Sequence, residues 1–149
     1  MPITLIIRRK PGCEDLPLPQ YMSPAASGMD LCAANEGSVR LEPGQVKLIP
    51  TGLYVAIPEG YEGQVRPRSG LALKHGLTIV NSPGTIDADY RGEVGIIVGN
   101  IGDQPYTIER GTRIAQLVIA PVVQAQIEVV EALDETSRGH GGFGHTGTK

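Results

Sequence analysis

The sequence contains few cysteines and no long apolar segment. Its two cysteines, Cys13 and Cys32, are too few for a disulfide framework and are not spaced as metal ligands, so we expect free thiols in a reducing compartment. No segment approaches the apolar length of a membrane span. The N-terminus reaches Arg8-Arg9-Lys10 without the hydrophobic region of a signal peptide. We therefore predict a cytoplasmic protein with no membrane association.

Basic residues are also scarce. The chain carries 13 lysines and arginines against 16 acidic residues, which gives a net charge of −3. General nucleic-acid binders usually present a basic face, so this balance argues against a nucleic-acid partner, although it leaves room for a local basic pocket that binds a small anion. Apolar residues make up 40% and charged residues 19% of the 149 positions. These values predict one globular domain.

Glycine and proline, by contrast, are abundant. The 20 glycines and 12 prolines lie mostly between short apolar runs, which is typical of an all-β protein. We expect the strands 39–41 and 45–50 to form a hairpin. The full set of predicted strands covers residues 3–8, 30–33, 39–41, 45–50, 53–57, 62–66, 77–80, 92–99, 106–109, 113–119 and 126–131.

One helix is predicted, over residues 69–75, with Ser69 as its N-cap and Gly76 as its C-terminal stop. The β pattern ends near Thr136, and the rest of the chain is rich in glycine and has no core signal. We therefore predict a jelly-roll-like distorted β-barrel with one short helix over residues 1–135, followed by a flexible tail over residues 136–149.

The segment from Gly84 to Glu93 concentrates chemically useful side chains. Asp87 and Asp89 would share one face of a strand, and Tyr90 would lie on the other. A hairpin with this composition offers a base, an aromatic platform and exposed backbone amides. Aspartate and glycine also form ordinary polar turns, so this segment indicates a functional site only in combination with other motifs.

A second motif, Arg68-Ser69-Gly70, stands at the N-terminus of the predicted helix. A cation, a hydroxyl group and free backbone amides at that place favour an anion such as phosphate. The alternative is a capped helix with a solvated arginine.

Two polar side chains interrupt the apolar strand over 113–119. Arg113 and Gln116 are three residues apart, so they point to opposite faces of a regular strand. They reach one ligand only if a bulge intervenes or if different subunits use the two faces. A buried Gln116 would need a hydrogen-bond partner.

Three further features are individually weak. Asp30, beside Gly28, could hold a hydrated Mg²⁺ through its waters, or it could cap a turn. Asn81 could pair with a base edge or form a turn. Phe143 is the only phenylalanine. Its place in a glycine-rich tail favours a tail that folds down so that Phe143 covers a flat base. The alternative is a disordered tail.

Taken together, the five stretches around Asp30, Arg68, Asp87, Gln116 and Phe143 resemble the motif set of the trimeric dUTP pyrophosphatase (dUTPase) family. They occur in family order, from Ala26 to Gly147. The resemblance implies a dUTPase-like β-clip fold and a homotrimer in which each active site uses all three chains. It also implies Mg²⁺-dependent hydrolysis of dUTP to dUMP and pyrophosphate. This reaction would limit uracil in DNA and supply dUMP for thymidylate synthesis.

The resemblance also implies roles for the nucleoside-binding and catalytic residues. Asp87 would be the general base that activates water for attack on the α-phosphorus. Tyr90 would lie under the deoxyribose and exclude UTP. Backbone groups of Gly84 and Ile86 would pair with uracil, with Asn81 nearby.

Further roles implied by the resemblance concern the phosphates, the metal and the tail. Asp30 would anchor the waters of Mg²⁺, and Gln116 would bind the α-phosphate region. Phe143 of a neighbouring chain would stack on uracil. The remaining implied substrate-binding residues are Arg68, Ser69, Gly70 and Arg113 on the barrel, and Arg138, Gly144 and Thr146 in the tail.

One tail residue departs from the family pattern. The family tail usually reads Gly-Phe-Gly-Ser-Thr-Gly, whereas His145 occupies the serine position here. Because a histidine ordinarily gains its proton near pH 6.5, we predict that substrate affinity rises modestly toward mildly acidic pH. The same pH dependence of KM in His145→Ser would contradict this prediction.

Three other functions compete with the pyrophosphatase. A dCTP deaminase shares the fold, but Asp87, Tyr90 and the Phe143 tail favour the pyrophosphatase. A nucleotide-gated binding or signalling module could use the same scaffold without a base, so Asp87 argues for turnover. A purely structural β-trimer leaves Arg68, Gln116 and Phe143 without a role.

Overall fold

The computed structural model describes residues 3–148. The first two residues of the predicted barrel and the last residue of the predicted tail lie outside that range. The described chain forms ten strands and one helix. In order they are β1 (Ile6–Arg9), β2 (Met29–Cys32), β3 (Val39–Leu41), β4 (Val46–Ala56), β5 (Tyr61–Arg66), α1 (Ser69–His75), β6 (Leu77–Ile79), β7 (Gly84–Ile86), β8 (Glu93–Asn100), β9 (Tyr106–Ile108) and β10 (Arg113–Pro121).

The strands form two four-stranded sheets and one two-stranded sheet. Sheet A has the order β1-β4-β8-β6, sheet B has the order β2-β10-β5-β7, and the third sheet pairs β3 with β9. All strand pairs are antiparallel. The predicted all-β, jelly-roll-like fold with one short helix is therefore confirmed, although the strands do not close into a continuous barrel.

A single main core is built from alternate residues of the two large sheets. On β8, Val94, Ile96 and Val98 are buried, and on β10 Leu117 is completely buried. This alternation follows from the two-residue period of a strand, which sends every second side chain to the same face. Truncating a side chain such as Leu117 to alanine would cost about 2–5 kcal/mol.

Both predicted hairpins are wrong, because the strands pair with distant partners. Strand β3 pairs with β9, and β4 pairs with β1 and β8. Strand β7 joins sheet B and β8 joins sheet A, so the segment between them crosses from one sheet to the other. Local turn residues identify a chain reversal, but burial of the apolar faces decides which strands pair.

The strand predicted over residues 126–131 is also wrong, because the last strand ends at Pro121. Residues 122–148 form no strand or helix. The side chains of Val123, Ile127, Val129 and Leu133 are 85–94% exposed. The β pattern in this segment finds no neighbouring strand among the described residues of its own chain.

The helix has the predicted bounds but a different cap. Arg68, rather than Ser69, occupies the N-cap position, and no side chain caps the helix there. Gly76 ends the helix in the left-handed conformation, with φ of 65°, and its N–H group bonds back to carbonyls of the last turn. Over residues 3–148, no helix has the length and apolar character needed to cross a membrane.

Candidate active site

A cationic cleft of about 580 Å³ lies where β2, β10 and the start of α1 meet. Antiparallel pairing places Asp30 of β2 directly opposite Gln116 of β10, and Arg66 of β5 opposite the same glutamine. Because the chain leaves β5 at Arg66 and enters α1 at Ser69, three residues later, the helix N-terminus reaches the same end of the sheet. The predicted residues that line this cleft are Asp30, Arg68, Ser69, Gly70, Arg113 and Gln116.

The carboxylate of Asp30 joins two arginines in this cleft. Arg68 Nε lies 3.1 Å from Asp30 Oδ1, and Arg113 Nη1 donates to Asp30 Oδ2 at 3.1 Å. Arg68 also donates from Nη1 to the carbonyl oxygen of Arg113 at 3.0 Å. Each guanidinium therefore has a fixed orientation, and two cations against one carboxylate leave the cleft positive.

A bulge in β10 brings Arg113 and Gln116 to the same side of sheet B. Arg113 pairs with Cys32 and Gln116 pairs with Asp30, while Ile114 is the extra residue on β10. Cys32 and Asp30 are two residues apart on β2 and share a face, so their partners also share a face. Of the two alternatives open from the sequence, the structure shows the bulge.

Gln116 has the hydrogen-bond partner that its position requires. Its side chain is half-buried, and Nε2 donates to the carbonyl oxygen of Pro67 at 2.9 Å. A Cβ atom added to Gly28 would collide with Gln116 Oε1. An alanine at position 28 would therefore have to displace the end of the Gln116 side chain, which crosses directly over the Gly28 backbone.

The start of α1 is accessible to a ligand. The first backbone N–H groups of a helix have no intrahelical partner, and no side chain caps them here. A Cβ atom added to Gly70 would meet nothing within 4 Å, so packing within this chain does not explain the glycine. Close approach of a ligand to the backbone is a physical reason for glycine at this position.

The segment from Asp87 to Gly92 forms a turn rather than a strand. Strand β7 ends at Ile86, and the N–H group of Tyr90 donates to the carbonyl oxygen of Asp87 at 3.1 Å. The prediction that Asp87 and Asp89 share one strand face is therefore wrong, because the chain must turn here to change sheets.

The aromatic ring of Tyr90 is held in place by the backbone. Its hydroxyl group donates to the carbonyl oxygen of Glu93 at 3.0 Å. The ring covers Gly92 so closely that a Cβ atom at position 92 would collide with it. Tyr90 remains 44% exposed, so one side of the ring is available to a ligand.

Asp87 lines a second cleft, of about 770 Å³, with Tyr61, Glu62 and Arg91 among its neighbours. The Asp87 carboxylate is exposed. Gly84 and Ile86 are buried on β7, and a Cβ atom at Gly84 would lie 3.1 Å from Asn81 Nδ2. The structure therefore places the Asn81 side chain next to the backbone of β7.

The two clefts are separate within one chain. Along β5, Arg66 pairs with Gln116 and Gly63 pairs with Ile86. These rows are three residues apart, which corresponds to about 10 Å of strand, and Asp87 lies beyond the second row. One chain therefore does not bring the Asp87 carboxylate against the Asp30–Arg68–Arg113 cluster.

The tail residues contact neither cleft. Phe143 is fully exposed, and Arg138 donates from Nε to the carbonyl oxygen of Gly141 at 2.9 Å. Gly144 and Thr146 lie in an exposed turn. The ring of His145 stands over Gly141, where a Cβ atom would collide with it. The tail thus presents its predicted site residues without a partner surface in the same chain.

The sequence motifs did not indicate Lys74 and His75 as cleft residues. Lys74 and His75 line the first cleft from the last turn of α1. The helical period of 3.6 places them over Gly70 and Leu71 and was the signal that could have identified them. Burial raises the pKa of the Cys32 thiol, despite the nearby Arg113 guanidinium, so this sulfur remains protonated and inert.

The family model described as dUTPase matches residues 14–147. The chain belongs to the dUTPase family. The family predicted from the sequence motifs is thereby confirmed, and so is its enzymatic class.

Similar sequences cover almost the whole chain. It is 65% identical over 130 residues to the deoxyuridine 5'-triphosphate nucleotidohydrolase of Syntrophotalea carbinolica, covering 87% of this chain and 88% of the relative. It is 57% identical over 147 residues to the protein with the same name from Caldanaerobacter subterraneus subsp. tengcongensis, covering 99% of both chains.

Solved structures of the family show the same fold. The dUTPase of Staphylococcus bacteriophage 80alpha with dUPNHPP is 32% identical, with a TM-score of 0.87, and the alignment covers 97% of this chain and 99% of the phage chain. The G164S mutant of that dUTPase with dUpNHpp is 31% identical, with a TM-score of 0.86 and the same coverage.

The resemblance to the family implies a metal ion, and within residues 3–148 Asp30 is the candidate to hold it. Among residues 3–148, no group of three or more histidine, cysteine, aspartate or glutamate side chains could hold a metal. Each Asp30 oxygen lies 3.1 Å from a nitrogen of one guanidinium and retains a lone pair for another ligand. This donor set fits a hydrated Mg²⁺ that takes its other ligands from a polyphosphate.

Proposed function

We propose that this chain hydrolyses dUTP to dUMP and pyrophosphate as a Mg²⁺-dependent homotrimer. The observation that carries the proposal is the cleft in which one carboxylate orients Arg68 and Arg113 beside the exposed start of α1. Such a cleft is suited to a polyphosphate. The relatives at 57–65% identity carry the name deoxyuridine 5'-triphosphate nucleotidohydrolase.

Asp87 is the proposed general base. Its exposed carboxylate accepts a proton from a water molecule, and the water oxygen attacks the α-phosphorus. The bond from the α-phosphorus to the bridging oxygen of the β-phosphate breaks, and that oxygen leaves with pyrophosphate. Arg68, Arg113 and the amides of Ser69 and Gly70 stabilise the charge that develops on the phosphates.

Gln116 and Asp30 position the reacting groups in this scheme. Gln116 contacts the α-phosphate region, and Asp30, which orients both arginines, would hold water molecules of the metal. When bound, Mg²⁺ supplies neutralisation of the triphosphate charge. Because Asp30 is already paired with two cations, we expect Mg²⁺ to bind with the nucleotide rather than before it.

The β7 strand and the turn after it form the proposed nucleoside site. Backbone groups of Gly84 and Ile86 pair with the uracil edge, and the Asn81 amide lies beside them. The ring of Tyr90 supports the deoxyribose and leaves no space for a 2′-hydroxyl group. The hydrogen bond from the Tyr90 hydroxyl group to the Glu93 carbonyl oxygen orients the ring for this role.

Trimerisation would unite the two clefts and the tail. The two clefts of one chain are too far apart to share a reacting atom, and apolar side chains at Val123, Ile127, Val129 and Leu133 are exposed. A neighbouring chain can cover these side chains and complete the site. Phe143, Arg138, Gly144 and Thr146 of one chain would then close over a nucleotide bound between two others.

In the cell, we propose that the enzyme lowers dUTP to limit uracil in DNA and supplies dUMP for thymidylate synthesis. Its two cysteines are free and buried, which supports a reducing compartment such as the cytoplasm.

Product analysis tests the activity. Wild type is incubated with Mg²⁺ and dUTP, dCTP, dTTP or UTP, beside Asp87→Asn and the control Asp89→Asn. The control removes a second exposed carboxylate from the same turn. We expect dUMP and pyrophosphate from dUTP only, at a rate retained by Asp89→Asn and reduced at least about 10³-fold in Asp87→Asn.

Other outcomes would overturn the proposal. Ammonia released from dCTP would indicate a deaminase. Tight dUTP binding without turnover would indicate a nucleotide-gated binding module. Equal rates for Asp87→Asn and wild type would remove Asp87 from the role of base.

A further inference from the structure

The start of β8 is clamped to a bulge in β4 and to the end of β1. Pairing of β4 with β8 runs from Val46 to Pro50 and resumes at Tyr54, which faces Glu93. Residues 51–53 of β4 therefore lie opposite a single residue of β8. A bulge leaves backbone groups outside the ladder, and buried groups of this kind need other partners.

Glu93 and Lys10 satisfy the backbone of the bulged Gly52. Glu93 Oε1 accepts from the Gly52 N–H group at 3.0 Å, and Glu93 Oε2 accepts from Lys10 Nζ at 3.2 Å. The Lys10 N–H group donates to the Gly52 carbonyl oxygen at 2.8 Å. The three residues form a closed ring of hydrogen bonds that joins β4 and β8 to Lys10, the residue after the end of β1.

Position 52 requires glycine for two reasons. Its φ of +67° lies in the left-handed region, and a Cβ atom there would collide with the Cys13 side chain. The conformation of the bulge therefore depends on glycine at this position. The Gly52 N–H group has no partner in the strand ladder and donates instead to the Glu93 carboxylate. The Glu93 side chain is 23% exposed.

The same residue carries the hydrogen bond that orients Tyr90. The Glu93 carbonyl oxygen accepts from the Tyr90 hydroxyl group, while the Glu93 carboxylate is held by Gly52. Movement of Glu93 would therefore move the acceptor of Tyr90. Because Glu93 directly follows the 87–92 turn, its anchoring also fixes the end of that turn.

We infer that the Glu93 carboxylate is a positioning residue for sugar selectivity: by binding the Gly52 N–H group it fixes the carbonyl oxygen that orients Tyr90. This inference rests on the proposed function, in which Tyr90 supports the deoxyribose. The Gly52 contact carries most of the effect, because an ion pair with a half-exposed lysine contributes little.

The test compares kcat/KM for dUTP and for UTP in four variants. Glu93→Ala removes both acceptors, whereas Glu93→Gln keeps an oxygen for Gly52. Lys10→Ala removes only the ion pair. The control Asp15→Asn breaks the carboxylate fork with Arg110, so it destabilises the chain away from the turn.

We expect the dUTP preference over UTP to fall about tenfold or more in Glu93→Ala, because small displacements of a binding group are costly. Glu93→Gln, Lys10→Ala and Asp15→Asn should keep the preference within about twofold of wild type. A loss of stability alone lowers the amount of active enzyme but leaves the ratio unchanged.

A wild-type ratio in Glu93→Ala would overturn the inference, as would equal loss in Asp15→Asn. If Glu93→Ala does not fold, Glu93→Asp applies the same test, since its shorter side chain cannot reach both partners. Failure of wild type to hydrolyse dUTP would instead refute the proposed function, so the two failures are distinguishable.

Discussion

Asp30 connects three parts of the chain through one carboxylate. It lies on β2, and its oxygens fix Arg68 at the start of α1 and Arg113 on β10. With 18% of its side chain exposed, the carboxylate is partly shielded from water, which strengthens its hold on both cations. The Asp30 carboxylate therefore orients both arginines.

Replacing Asp30 with asparagine tests this role. The amide keeps the size of the side chain but turns an NH₂ group toward one guanidinium. We expect kcat/KM for dUTP to fall about 100-fold, with the far-UV circular dichroism unchanged. Asp15→Asn is the matched control, because it also removes a carboxylate from an arginine. Similar losses in both variants would assign the effect to general destabilisation.

The bulge in β10 is the element that creates the cationic cleft. Without the extra residue Ile114, Arg113 and Gln116 would lie on opposite faces of sheet B. The close crossing of Gln116 over Gly28 then fixes the direction of the glutamine side chain. Strand β2 thus contributes the Asp30 carboxylate, and Gly28, just before β2, leaves the space for the Gln116 side chain.

Gly28→Ala should therefore act through Gln116. The new methyl group displaces the glutamine from the Pro67 carbonyl, and we expect kcat/KM to fall about tenfold or more. In a Gln116→Ala background the same substitution should have little further effect, because the two changes remove one contact. Additive losses measured in this double-mutant cycle would contradict the mechanism.

The segment before β2 is tied to the loop before β10 by Arg110. Its guanidinium donates to both oxygens of Asp15, at 2.7 and 2.9 Å, and to the carbonyl oxygens of Gly12 and Ala34. The hydrogen bond from Arg110 lowers the pKa of Asp15 from its ordinary value. Folding therefore favours the charged carboxylate.

Stability should depend on pH through this pair. The pKa of Asp15 is lower in the folded chain than in the unfolded chain. Its contribution to the free energy of unfolding is therefore complete above the unfolded pKa of about 3.9. That contribution is lost as the pH falls through the folded pKa. Urea midpoints measured from pH 7 to pH 3 should decline less steeply in Asp15→Asn. An identical decline in the variant and wild type would show that Asp15 does not contribute to the pH dependence of stability.

At the scale of the molecule, one chain is incomplete as an enzyme of the proposed kind. Three parts of the chain lie apart from one another: the cationic cleft, the turn with Asp87 and the tail. The apolar segment after Pro121 is exposed. These features have a common explanation if copies of the chain assemble with the cleft of one beside the turn of another.

Subunit complementation tests that arrangement. Arg68→Ala and Asp87→Asn should each be inactive alone. After unfolding and refolding as an equal mixture, we expect about one quarter of the wild-type activity, because one site in four combines an intact cleft with an intact turn from different chains. A matched mixture of Arg68→Ala with Gln116→Ala is the control, since both changes lie in the same cleft. Absence of activity in the first mixture would place each site within one chain.

The sequence by itself determined the residue types, their order and the local elements. The motifs with Asp30, Arg68, Asp87 and Gln116 identified the family, and α1 has its predicted bounds. These features were readable because propensity, glycine turns and side-chain chemistry act over a few residues. The alternation of apolar residues likewise located nearly every strand that finds a partner within the chain.

Only the tertiary structure decided which strands pair and where side chains meet. The partners of β3 and β7, the two bulges and the bridge at Asp30 depend on contacts between residues far apart in sequence. Burial of whole faces selects such pairings, and a shift of one residue reverses a strand's faces. For the same reason the β pattern over 126–131 could not reveal that this segment has no partner in its own chain.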